Sequence, residues 1–99
     1  MLSFECYVLS EGIYFMKPNA EIRNQIMQVV ENQMRMDDPP ETNQTYKRLI
    51  KLGFNEFDSK AMIGQCVAVE IFNIMKFRNP FDEQRFIKNL NKLPEEPFD

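Results

Sequence analysis

Four polar residues stand where this chain could hold chemistry away from bulk water: Gln33, Gln65, Glu70 and Asn73. Three of them interrupt the run from Asn55 to Phe77, which is otherwise dominated by apolar side chains. At helical spacing Gln65, Glu70, Asn73 and Lys76 form a narrow polar strip on that run, while Gln33 falls inside the apolar arc of an earlier helix. An unpaired buried amide costs about 1–3 kcal/mol, and an unpaired carboxylate more. The preferred reading is therefore that Gln33 and Glu70 pair with each other, with Asn73 or with backbone, and so fix helix register. The competing reading opens the strip Gln65–Glu70–Asn73 onto a groove, where it binds a partner or a small ligand through Glu70. Exchanging Glu70 for glutamine separates the two by whether stability or binding is lost.

A second candidate is a basic face made of Lys47, Arg48 and Lys51, with Lys76, Arg78, Arg85, Lys88 and Lys92 elsewhere. The helices either side of Gly53-Phe54-Asn55 suggest a helix-turn-helix-like pair and hence a DNA-associated regulator. Against this, a recognition helix must offer polar side chains to base edges, and the second helix of this pair is nearly all core. The formal charge of −3 and a pI near 5.0 also disfavour a dedicated polyanion binder. Nucleic acid is thus an unlikely partner by expectation.

Other chemistries lack their parts. The chain has no histidine, the commonest metal ligand and general base. Cys6 and Cys66 lie far apart and make no zinc site alone; Cys66, on the apolar run, is expected to be a buried reduced thiol. Three scattered glycines form no phosphate loop. The expectation is a protein that is not an enzyme and takes no cofactor.

The elements that must position these residues can be read in order. Pro18 and Asn19 open a first helix with Asn19 as cap, and Ile22, Ile26, Val29, Val30 and Met34 form its apolar stripe to about Met36. Asp38 is expected to cap a second helix with Pro39 at its first position, its inner face being Thr42, Tyr46, Leu49 and Ile50. Gly53 ends that helix in the left-handed region, placing Phe54 against Leu49 or Ile50. Asn55 and Asp58 open the third helix, on which Ile63, Val67, Ala68, Ile71, Phe72, Ile74 and Met75 share one broad arc. Met62, Cys66, Val69 and Phe77 extend this arc, so the helix is predicted to be enclosed along its length. Its roughly 22 residues span about 33 Å, yet it is too polar for a membrane. Asp82 caps a last helix with Phe86, Ile87, Leu90 and Leu93 inward and Phe81 stapled on Phe86; Pro94 stops it.

The fold class expected is all-α: a small four-helix bundle-like domain around a buried third helix, spanning residues 16–94. Residues 1–15, with a Gly-containing turn at Ser10-Glu11-Gly12, form either a short β-hairpin or a stretch preceding a natural start at Met16. Residues 95–99 form an acidic tail. The absence of a basic, apolar leader and of a disulfide framework makes the cytoplasm the expected compartment.

The stretches Asp38-Pro39-Pro40-Glu41-Thr42, Arg48-Leu49, Gly53, Ala68-Val69-Glu70-Ile71-Phe72, Pro80-Phe81-Asp82, Arg85-Phe86 and Leu93-Pro94 resemble a group of short uncharacterised bacterial helical proteins. These share a DPPE-T…VAxEIF…PFDExRF…LP pattern. The resemblance covers about residues 19–94, which favours Met16 as the family-like start. Some members carry histidines in the first helix where this chain has residues such as Arg23 or Met27. The resemblance implies a helical fold and a bacterial origin, and no activity. The seven methionines could form an adaptable binding surface, though at helical spacing core filler is the preferred reading; the all-round apolar third helix points to protein binding, with homodimerisation the simplest way to cover what one small domain leaves open.

Overall fold

Helix punctuation in this chain is local and strong, and the computed structural model follows it closely. It describes residues 20–95 in full and, N-terminal to them, the backbone of β1 (Phe4–Val8) and β2 (Tyr14–Pro18). The two strands pair antiparallel, with Cys6 opposite Met16, so the expected hairpin is present; its turn lies outside the described residues. Four helices follow: α1 (Ala20–Met36), α2 (Pro40–Lys51), α3 (Glu56–Phe77) and α4 (Glu83–Lys92). They pack on one another as a small all-α bundle in which α3 touches each of the other three. Asn19, expected to cap α1, lies outside the described residues, as do residues 96–99 of the acidic tail.

Two helix ends use the same device. At the end of α2, Phe54 N–H donates to the Leu49 carbonyl and Gly53 N–H to the Ile50 carbonyl, with Gly53 at φ 108°. At the end of α1, Asp38 N–H donates to Gln33 and Asp37 N–H to Met34, with Asp37 itself left-handed at φ 52°. Both are the paired 6→1 and 5→2 closures that satisfy orphan carbonyls. Asp38, whose backbone N–H closes α1, does not cap α2. That corrects the expected boundary by one residue: Pro39 is the N-cap, without a side-chain hydrogen bond, and Pro40 opens the helix. Asn43 then reaches back from α2 to accept no one's proton but to donate two, to the Met34 carbonyl and to Asp37 Oδ1, locking the α1–α2 corner.

The core is built from Ile22, Ile26 and Val30 of α1, Leu49 of α2, Ile63, Cys66, Val67 and Ala68 of α3, and Phe86 and Leu90 of α4, closed by Leu93. On α2 the buried positions are Thr42, Thr45 and Leu49, so Ile50, expected inward, faces water instead. Gly64 permits the close crossing of α1 and α3: a Cβ there would stand 3.1 Å from Ile26 Cγ2. The expectation that α3 is enclosed along its whole length needs correcting. Its middle is buried from Ile63 to Glu70 except at Gln65, but Ile74, Met75 and Phe77 emerge, because α4 is only 10 residues against its 22 and covers less of it.

One buried group has no evident purpose in this packing. Asn89 on α4 is wholly buried, and neither its Oδ1 nor its Nδ2 finds a partner. Stranding an amide in the interior is unfavourable. Asn89→Leu is therefore expected to raise stability by about 1–2 kcal/mol in urea unfolding; a loss instead would mean that Asn89 is bonded through buried water.

Candidate functional site

Glu70 is the most constrained polar residue of the molecule. Its carboxylate is 0% exposed. Oε2 accepts from Arg85 Nε at 2.6 Å, and Oε1 accepts from Arg85 Nη2 at 2.8 Å and from the Asp82 backbone N–H at 2.9 Å. The side chain of Asp82 in turn accepts from the Arg85 backbone N–H at 3.0 Å, which caps α4. Glu70 thus grips the first turn of α4 three ways, and a forked guanidinium on a carboxylate is the strongest common geometry for that job. The hydrogen bonds and charge of Glu70 hold the Arg85 guanidinium above its ordinary pKa. Phe81 and Phe86 stack beside this latch with ring centres 5.4 Å apart, as the staple spacing predicts.

The four polar residues singled out by sequence do not form one cluster. Gln33 accepts from the Thr42 hydroxyl at 2.9 Å, tying α1 to α2, and makes no bond to Glu70. Asn73 donates to the Val69 carbonyl one turn back on its own helix. Gln65 faces a groove between α1 and α3. Five residues at about 100° each put Gln65 some 140° round the helix from Glu70, so no strip joins them. What sequence reasoning missed is Arg85 as the partner of Glu70. The signal available was that a wholly apolar environment for a glutamate demands a cation, and Arg85 follows the cap of the next helix.

The proposed basic face is also divided. Arg48 donates from Nη1 to the Leu93 carbonyl at 2.6 Å and from Nη2 to the Leu90 carbonyl at 2.9 Å. It therefore closes the C-terminal end of α4, where cations are favoured by the helix dipole. Lys47 and Lys51 remain on the surface beside it. Arg48 and Glu70 together hold α4 at both ends, from α2 and from α3.

Among the described residues no group of three or more His, Cys, Asp and Glu could hold a metal ion, and no helix is long and apolar enough to cross a membrane. Cys66 is a free buried thiol whose pKa is pushed up to about 12, chiefly by burial. Because the folded value lies above the ordinary 9.0, this group's contribution to stability is full below pH 9 and is lost as pH rises toward 12. Alkylation of Cys66 at pH 8 is expected only after denaturant is added, read by mass spectrometry; ready labelling of the native protein would contradict its burial.

Two surface features among the described residues stand out. One is the groove of about 330 Å³ between α1 and α3, lined by Arg23, Asn24, Ile26, Met27, Phe57, Ala61, Gly64, Gln65 and Ala68. The other is the apolar end of α3 with the loop that follows it. There Phe77 meets Phe72 edge-on at 6.3 Å, and Lys76 Nζ lies 5.2 Å and 5.5 Å from the two ring centres. Set against known protein families, curated proteins and solved structures, the chain matches none of them.

Proposed function

We propose that this chain is a non-enzymatic protein-binding module, of bacterial type, that self-associates through the outer end of α3. The observation that carries this reading is the emergence of the α3 core stripe into water. Ile63, Val67 and Glu70 face the bundle interior, and the same side of the helix continues to Ile74 and Phe77, which are 39% and 54% exposed. Phe81 adds a further exposed ring at 41%. Large apolar side chains grouped in this way mark interaction surfaces more often than scattered ones do. A second copy presenting the same patch about a two-fold axis would cover both at once, since such an interface is self-complementary. The Lys76 ammonium over two aromatic rings supplies a polar edge typical of such patches.

The nucleic-acid reading draws no support from the geometry, because Arg48 is engaged by α4 carbonyls and the middle of α3 is buried. The geometry likewise lends no support to Glu70 as a ligand-binding group, since both its oxygens are bonded and the residue is 0% exposed. Light scattering on eluting protein tests the proposal. The expected result is a mass of twice 11.8 kDa, falling to 11.8 kDa in an Ile74→Glu/Phe77→Glu double variant whose helical circular dichroism is unchanged. A monomer at all concentrations up to the millimolar range would overturn self-association.

A further inference from the structure

The groove between α1 and α3 uses residues separate from the α3 end, and its lining is divided in a way that specifies a ligand. Its floor and walls are apolar: Ile26 and Met27 of α1 face Ala61, Gly64 and Ala68 of α3, and Phe57, 75% exposed, stands at one end. Its rim is polar. Arg23, Asn24 and Gln65 make no hydrogen bond or ion pair among the described residues, although most long polar side chains nearby do. Lys60, by contrast, is already paired with Glu31 at 2.8 Å and Glu56 at 3.1 Å. The rim thus offers one cation and two amides bordering an apolar trough.

We infer that this groove binds a small amphipathic carboxylate, its aliphatic tail lying over Ile26, Met27, Ala61 and Gly64 and its carboxylate meeting the Arg23 guanidinium and the Gln65 amide. Two physical points select this occupant. A volume near 330 Å³ is at the small-molecule end of ligand sites. A planar guanidinium prefers a planar carboxylate partner, which it can grip with two parallel bonds. The apolar part of the ligand supplies affinity by area, and the charged end fixes its direction in the groove.

Titration of 15N-labelled protein with octanoate, and separately with the neutral octanol, tests the assignment. Octanoate is expected to shift the amides of Ala61, Gly64 and Gln65 and to bind more tightly than octanol. Arg23→Gln, at an exposed position that leaves the fold alone, is expected to weaken octanoate by about tenfold and to leave octanol unchanged. Ala61→Met fills the trough and is expected to abolish both, with the helical spectrum as a check on folding. Equal affinity for the two probes, an Arg23→Gln variant with wild-type octanoate binding, or shifts centred on Ile74 to Phe81 would each overturn the inference. The last of these would mean that apolar molecules adsorb to the end of α3, and light scattering of the same samples keeps that result separate from self-association.

Discussion

Exchanging Glu70 for glutamine is expected to cost about 3 kcal/mol of folding stability, a large share of what a domain of this size commands. The substitution keeps shape and volume and removes only the charge. It leaves the Arg85 guanidinium, itself partly inside the protein, facing a neutral amide that can accept one of its two bonds and adds an N–H of its own. Breaking one member of a buried pair is more damaging than replacing both. A Glu70→Leu/Arg85→Met double variant should therefore recover much of the loss, and the shortfall measures what the Asp82 N–H bond contributes. Urea unfolding with an unchanged slope gives the free energies, and hydrogen exchange should show α4 amides opening before those of α1. A loss below about 0.5 kcal/mol would place the pair with ordinary surface bridges and remove the latch from this account.

The companion result concerns Phe86, the bulkiest of the fully buried side chains. Phe86→Ala is expected to destabilise by about 3–5 kcal/mol, because the ring's transfer energy is lost and a cavity is left in the core that four helices cannot collapse together. Phe81→Ala, removing the exposed half of the same ring pair, should cost about 1 kcal/mol, in the range found for a single aromatic contact. The contrast between the two, read as thermal midpoints by calorimetry, separates core volume from stapling. If Phe81→Ala proved the more damaging, the loop before α4 rather than its inner face would be what holds that helix.

Both results turn on α4. Arg48, Glu70, Asp82, Arg85 and Leu93 all belong to the arrangement that fastens α4 to the rest. In this chain these residues close the bundle.

Local signals in the sequence determined the helices of this protein and most of their ends. Asn55 and Asp82 are caps, Gly53 is the left-handed stop, and Phe81 lies on Phe86, because each of these depends on residues a few positions apart. The apolar periodicity likewise named Ile22, Ile26, Val30, Ile63, Val67, Phe86 and Leu90 as core. The tertiary structure alone decided which polar groups meet. Glu70 and Arg85 are 15 residues apart, and Arg48 and Leu93 are 45, so their pairing depends on how α2, α3 and α4 are turned about their axes. Periodicity gives a helix an apolar side but no length of cover, and so the exposure of Ile74 and Phe77 was also beyond its reach. That exposure depends on where the shorter α4 begins, its first turn being level with Glu70.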